Sequence, residues 1–250
     1  MKLTEHLLNI DRDIYEQAER NQFLKEVGTL QIKPENLKAW LIQDRFYTGG
    51  YIKMMGLMIS RLSLYEDQRE LGDNDPFWSQ EKAQNILRTL SFALSNVHRE
   101  SEFFTDLLSR EPYRHCKVPE QQRAWTTKYF EYVKRITLEG GHDLGEPLVA
   151  LWLMEIMFYD AWSFAKSINN SLGEGKDGKD SQDVHIQTCH ELMENWTLEE
   201  FKEFVDDCGS LVDALDISDP RRMASYEKVY KEVLALEVDF WNMAYNFDEK

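Results

Sequence analysis

Residues 146–168 read EPLVALWLMEIMFYDAWSFAKSI, and this stretch decides the fold class. Apolar residues cover almost the whole circumference of the helix it would form, with Glu155 and Asp160 the only acids in its interior. A helix that is apolar all round has to be covered by others, so it belongs at the centre of a bundle. Working outward, the hydrophobic period stays near 3.6 wherever it can be read. A first helix is expected over residues 4–26, with Leu7, Leu8, Ile10, Ile14 and Tyr15 as its stripe. Pro34 opens a second helix through Trp40, Leu41, Phe46, Tyr51 and Met55, in which Gly49-Gly50 marks a kink or a close approach. Leu71 to Pro76 reads as a loop. A long helix follows to about Arg110, then a break at Glu111-Pro112 and a helix from about Pro119 to Glu139.

Gly140-Gly141 and Gly145 separate that helix from the central one, and Gly173 to Asp180 is a polar connector. Thr197-Leu198-Glu199-Glu200 fits a capping box for the helix holding Phe201, Phe204 and Val205. Asp219-Pro220 opens the last helix, which should run to about Tyr245. Only 6 prolines and 12 glycines punctuate 250 residues, too few turns for a sandwich or barrel. The expectation is an all-α, single-domain bundle of about seven to eight helices over residues 1–250.

Charge narrows the function. The net charge is −16, a field that repels phosphate backbones and anionic leaflets, so neither nucleic acid nor a membrane surface is an expected partner. No apolar run approaches the ~20 residues of a membrane span. The opening MKLTEHLLNIDRD has acids where a signal peptide would be apolar. Cys116, Cys189 and Cys208 are odd in number and lack metal-ligand spacing, which reads as reduced thiols in a cytoplasmic protein.

Four clusters carry possible chemistry. In Gln43-Asp44-Arg45-Phe46-Tyr47, Asp44 and Tyr47 share a helix face, with Trp40 a turn before and Tyr51 a turn after. Glu155 stands in the apolar helix with Trp152 at i−3, Tyr159 at i+4 and Trp162 at i+7. A carboxylate so placed must pair, protonate or face a polar cavity. Glu237 lies against Trp241 on the last helix, near Phe240 and Met243. Each acid could equally be structural, capping a helix or pairing with an arginine. The fourth cluster is histidine-based: His98 with Glu102, and His185 with His190. The Glu-x-x-His spacing of diiron bundles occurs only at Glu139-Gly140-Gly141-His142, where the glycines oppose the helix it needs, so no metal is expected. Phosphate loops, nucleophile elbows and paired C-x-x-C motifs are missing.

Taken together, three of these blocks resemble the TenA family of thiaminase II and related aminopyrimidine hydrolases, built on the heme-oxygenase-like helical fold. They are W-L-x-Q-D-x-x-Y (Trp40 to Tyr47), W-x-x-E (Trp152 to Glu155) and L-E-V-x-F-W-x-M-A (Leu236 to Ala244), in that order along nearly the whole chain. The resemblance implies that Asp44 binds the pyrimidine through its amino group and a ring nitrogen, that Tyr47 lies beside it, and that Glu237 transfers a proton at the leaving group. One departure is large. Where thiaminase II carries its nucleophilic cysteine, this chain reads Val149-Ala150-Leu151, and no cysteine stands between Cys116 and Cys189.

Trp152 to Glu155 instead resembles the Glu-bearing branch found in plants and other eukaryotes, associated with salvage of the thiamin pyrimidine. Even the displaced cysteine of some of its members is missing from Ala161 to Lys166, and Phe158 stands where a Tyr is common. Without a thiolate, another group must activate water. The leading expectation is therefore a cofactor-free C–N hydrolase of aminomethyl- or formylaminomethyl-pyrimidine. Glu155 and Glu237 would shuttle protons, with their pKa values driven apart by environment. Asp44, Tyr47, Tyr51, Tyr159 and Trp152 would bind the ring. Asp44, Glu155 and Glu237 should converge on one cavity, with all three cysteines away from it. A homo-oligomer, dimer or tetramer, is expected. The alternatives are a non-catalytic pyrimidine-binding or interaction protein and a metal-dependent oxidase on the same fold.

Overall fold

The apolar stretch becomes the axis of the bundle. In the computed structural model, which describes residues 2–62, 64, 79–139, 143–173 and 175–245, it lies in α7 (Gly145–Ser171). The other helices are α1 (Leu3–Leu8), α2 (Arg12–Glu19), α3 (Gln22–Gly28), α4 (Pro34–Ile59), α5 (Gln80–Ser109), α6 (Ala124–Glu139), α8 (Val184–Asn195), α9 (Glu199–Asp213) and α10 (Pro220–Asn242). A short 3-10 turn covers Tyr113–His115, and the described residues include no strand. α7 packs against α2, α3, α6, α8, α9 and α10, while α4 packs against α5 and α6. By length and composition alone α7 would pass for a membrane span, which corrects the expectation that no stretch would. The other helices bury 72% of its most apolar window.

Local chemistry explains where the elements differ from expectation. The single helix expected over 4–26 is three short ones, because Asn9, Asp11, Arg20 and Asn21 interrupt the ladder at their ends. The Asn21 side chain accepts a 2.9 Å hydrogen bond from the Phe23 N–H, competing with helix continuation as Asn does. Each break re-aims the chain, so Leu7, Tyr15, Ala18, Phe23 and Val27 all reach the core. These breaks are why the described residues form ten α-helices where about seven to eight were expected.

Thr197 is not a cap. Its hydroxyl donates to the Met193 carbonyl at 2.8 Å and accepts from Lys166 Nζ at 2.8 Å, finishing α8, and Leu198 occupies the N-cap of α9 without a side-chain bond. Asp219 does cap α10, accepting from the Arg221 N–H at 2.9 Å. The expected loop at 71–76 and the Gly140-Gly141 break lie outside the described residues.

α4 runs unbroken through Gly49 and Gly50. Gly49 faces open space, whereas a Cβ on Gly50 would meet the Phe130 ring of α6, so this glycine marks a close approach rather than a kink. At the centre, Trp40, Trp162, Trp196 and Trp241 interlock with ring centroids 4.9–6.1 Å apart, joining α4, α7, α10 and the turn after α8.

Candidate active site

α4 contributes a stripe at helical spacing, Trp40, Asp44, Tyr47 and Tyr51, all buried. Gln43 beside it is structural: its Nε2 donates to the Gln121 carbonyl at 2.9 Å, and its Oε1 accepts from the Arg123 N–H and the Thr126 hydroxyl. With Lys38 Nζ donating to the Cys116 carbonyl at 2.9 Å, it ties residues 116–123 down outside any helix. That is why α6 begins at Ala124 instead of Pro119.

Asp44, Tyr47, Thr48 and Tyr51 face a narrow cavity of about 30 Å³ whose opposite wall is Met154, Glu155 and Phe158 of α7. Asn96, Val97 and Glu100 of α5 close it on a third side, and Trp196 on a fourth. Tyr51 donates a 2.5 Å hydrogen bond to Glu155 Oε1. Burial nevertheless pushes the Glu155 carboxyl up to about 8, the tyrosine opposing only part of that rise. Asp44 is 2% exposed, its Oδ2 has no hydrogen-bond partner, and burial raises its pKa well above the usual carboxylate range, with Glu100 and Glu237 adding to the effect.

Glu237 is wholly buried, but it does not line this cavity. Its Oε1 accepts a short hydrogen bond from the Tyr129 hydroxyl, and its Oε2 has no partner. Tyr129 and Tyr47, with ring centroids 5.3 Å apart, separate it from the cavity, and its charge is felt by both Asp44 and Glu155. Burial pushes Glu237 up to about 8 as well. The expectation that environment would drive the two glutamates apart is thus corrected. Each is buried and each is held by one tyrosine, so position distinguishes them and pKa does not.

Trp152 and Tyr159 do not line the cavity, and helical phase gives the reason. At about 100° per residue, Met154, Phe158 and Glu155 fall at about −100°, −60° and 0°, whereas Tyr159 and Trp152 fall at about +40° and +60°. Trp152 packs beside Gly209 of α9, and Tyr159 lies within electrostatic reach of Lys202 on that helix. Phe158 takes the wall position instead. Cys208, expected away from the site, sits close enough that Glu155 raises its pKa, although burial is the larger cause; it does not line the cavity. A thiol held so far up is a poor nucleophile.

The histidines are occupied elsewhere. His98 meets Glu102 at 4.0 Å on the surface, His185 bridges the Tyr113 hydroxyl and the Ile32 carbonyl, and His190 bonds the Asp177 carbonyl. Among the described residues no three His, Cys, Asp or Glu side chains are grouped to hold a metal ion, while Glu139-Gly140-Gly141-His142 lies partly outside them.

Glu100 escaped the sequence reading. Its signal was an acid within the apolar stripe Leu90, Ala93, Val97, Phe104, Leu107 of α5, where spacing alternates between three and four. Larger hollows exist, one of about 150 Å³ between α5 and α9 and one of about 640 Å³ between α4 and α6, but neither is walled by a set of buried acids.

The described residues form an all-α bundle with an acid-lined cavity between α4, α5 and α7. Its fold is that of the TenA homologues. One from Pyrococcus furiosus matches with a TM-score of 0.74 at 18% identity, covering 97% of this chain and 100% of that one. One from P. horikoshii matches with a TM-score of 0.72 at 14% identity, covering 98% and 99%. A chain from Sulfolobus solfataricus, described as a candidate TenA-like thiaminase, matches with a TM-score of 0.61 at 13% identity, over 96% and 94%. No protein-family model matches the sequence. A Fusarium pseudograminearum protein described as a "Probable transcription factor" is 25% identical over 236 residues, 85% of this chain. The chain spans 45% of that relative's length.

Proposed function

We propose that this chain is a C–N hydrolase of the thiamin-salvage type, acting on an aminomethyl- or formylaminomethyl-pyrimidine. The observation that carries the reading is that Asp44, Tyr47, Tyr51 and Glu155, all buried side chains, wall one cavity. A carboxylate suits an aminopyrimidine edge, where an amino group donates and a protonated ring nitrogen adds a second bond. Tyr47 and Phe158 offer ring faces to a flat heterocycle. As the water oxygen bonds to the exocyclic carbon, the C–N pair leaves on nitrogen and the water proton passes to Glu155 in its ionised form. A carboxyl raised to about 8 supplies that form increasingly as pH climbs toward that value.

Glu237 is the second acid. It reaches the leaving nitrogen when Tyr47 and Tyr129 move, and a ring has to move those walls to enter so narrow a space. The reading needs no cofactor, places the protein in the cytoplasm, and takes it as a dimer or tetramer, which light scattering checks.

Ala150 supplies no thiolate, so cleavage of thiamin itself should be slow. The test is a side-by-side assay of thiamin and the two aminopyrimidines, with the amine or its formyl derivative turned over much faster. Thiamin preferred over both would overturn the mechanism. Tight binding without turnover would favour a second reading, a pyrimidine-binding module of a longer regulatory protein. The name and the greater length of the fungal relative support that second reading.

A further inference from the structure

Glu100 reaches the cavity from α5, opposite the acids of α4 and α7, and the reaction as described makes no use of it. Its carboxylate is built into the wall. Trp196 Nε1 donates to Oε1 at 2.8 Å and Asn96 Nδ2 donates to the same oxygen at 3.1 Å. Trp196 is the one member of the tryptophan cluster whose indole N–H has a partner; those of Trp40, Trp162 and Trp241 have none. Oε2 of Glu100 takes no hydrogen bond among the described residues.

Across the cavity Asp44 Oδ2 is buried without a partner, and Glu155 uses only Oε1, on Tyr51. Among the described residues no Lys, Arg or His lines the space. Arg99, the neighbour of Glu100, is near enough to lower its pKa somewhat, but its exposed guanidinium pairs with Glu200 at 3.3 Å and does not line the space. Three acids therefore face one small volume. Tyr51, Trp196 and Asn96 already donate to two of them, and the Tyr47 hydroxyl is a wall donor without a partner. Among the described residues the acids are not grouped for a metal. A buried acceptor left unmatched, as Asp44 Oδ2 is, is costly, which favours a ligand that brings donors and a positive charge. Burial holds the Glu100 carboxyl up at about 7, and a bound cation would pull it back down.

We infer that Glu100 is a specificity-determining residue that receives the ammonium group of the substrate while Asp44 holds the ring edge. The site accordingly selects a heteroaromatic ring bearing a protonated primary amine over its N-formyl or hydroxyl counterpart. This rests on the aminopyrimidine reading and narrows it from two substrates to one. The chemistry balances: the ammonium nitrogen departs as ammonia with the C–N electron pair, water supplies the new C–O bond, and its proton goes to Glu155. The alcohol product carries no charge for Glu100 to hold, which favours its release.

The experiment is calorimetric binding of the aminomethyl- and hydroxymethyl-aminopyrimidines to wild type, Glu100→Gln and Glu100→Asp, with kcat/KM for amine and formylamine alongside. Wild type should bind the amine at least about tenfold more tightly than the alcohol, since a bond between ionised partners is worth that much. Glu100→Gln should erase most of that ratio by weakening the amine and sparing the alcohol, and Glu100→Asp should restore part of it. An equal loss on both ligands would reduce Glu100 to a structural role. A wild type indifferent to the amine's charge would overturn the inference without any variant. A wild type that binds neither ligand would overturn the aminopyrimidine reading itself.

Discussion

Single carboxyl groups carry the first expectations. Glu237→Gln keeps shape but cannot transfer a proton, so kcat should fall by at least about a hundredfold with KM changed only a few-fold. Asp44→Asn replaces the acceptor that meets the ring, so binding should weaken about tenfold as well as turnover falling. Steady-state kinetics on the preferred pyrimidine separates the two patterns, and unchanged turnover in Glu237→Gln would remove that residue from the chemistry. The raised carboxyls also make stability depend on pH. Glu237 moves from 4.5 to about 8 on folding, so the folded chain binds more protons between those values. Its stability contribution is full below about 4.5 and is lost as pH climbs through 8. Urea titration should find Glu237→Gln more stable than wild type at pH 9 by more than about 1 kcal/mol and close to it at pH 4. A wild type that gains on the variant as pH rises would contradict the burial argument. Alkylation should leave activity largely intact, because Cys189 and Cys208 are buried with raised pKa values. Inactivation that a pyrimidine prevents would draw Cys208 into the mechanism.

At the scale of elements, glycines show how the helices meet. Gly49 sits mid-helix in α4 with nothing near its missing Cβ, so Gly49→Ala should stabilise by about 0.5–1 kcal/mol through helix propensity alone. Gly28, at the end of α3, lies against α7, where an added Cβ would stand 2.5 Å from the Ala165 carbonyl oxygen. That oxygen belongs to a packed helix and cannot swing aside, so Gly28→Ala should cost about 1–3 kcal/mol. Thermal unfolding of the pair decides it; shifts of the same sign would mean that the α3–α7 approach is looser than described. The same register argument separates Phe158, which walls the cavity, from its neighbour Tyr159, which does not.

For the molecule as a whole, charge and covering matter most. A net charge of −16 leaves no basic field for a phosphate backbone, whatever the description of the fungal relative. The chain should show no retardation of duplex DNA in a gel at moderate salt, and a salt-sensitive shift would contradict this. The interior has the opposite arrangement from a metal bundle. Its acids are spread over α4, α5, α7 and α10, and His185 and His190 are spent on carbonyls and Tyr113.

Read alone, the sequence determined the all-α class, the central place of residues 146–168, the opening of α4 and α10, and the three buried acids Asp44, Glu155 and Glu237. These follow from local quantities: periodicity, proline and cap chemistry, and a charge stranded on an apolar face. The tertiary structure alone decided that 4–26 would fold as three helices, that Thr197 would end a helix instead of starting one, and that Phe158 rather than Tyr159 would face the cavity. It also decided that Glu237 would stand behind Tyr47 and Tyr129 while Glu100 joined Asp44 and Glu155. Each of these depends on which neighbour covers a given face, and residues 50 to 190 positions apart reach one another only when the helices pack. A carboxylate in a stripe announces its own burial; which other carboxylates share its cavity is settled by the crossing of α4, α5 and α7.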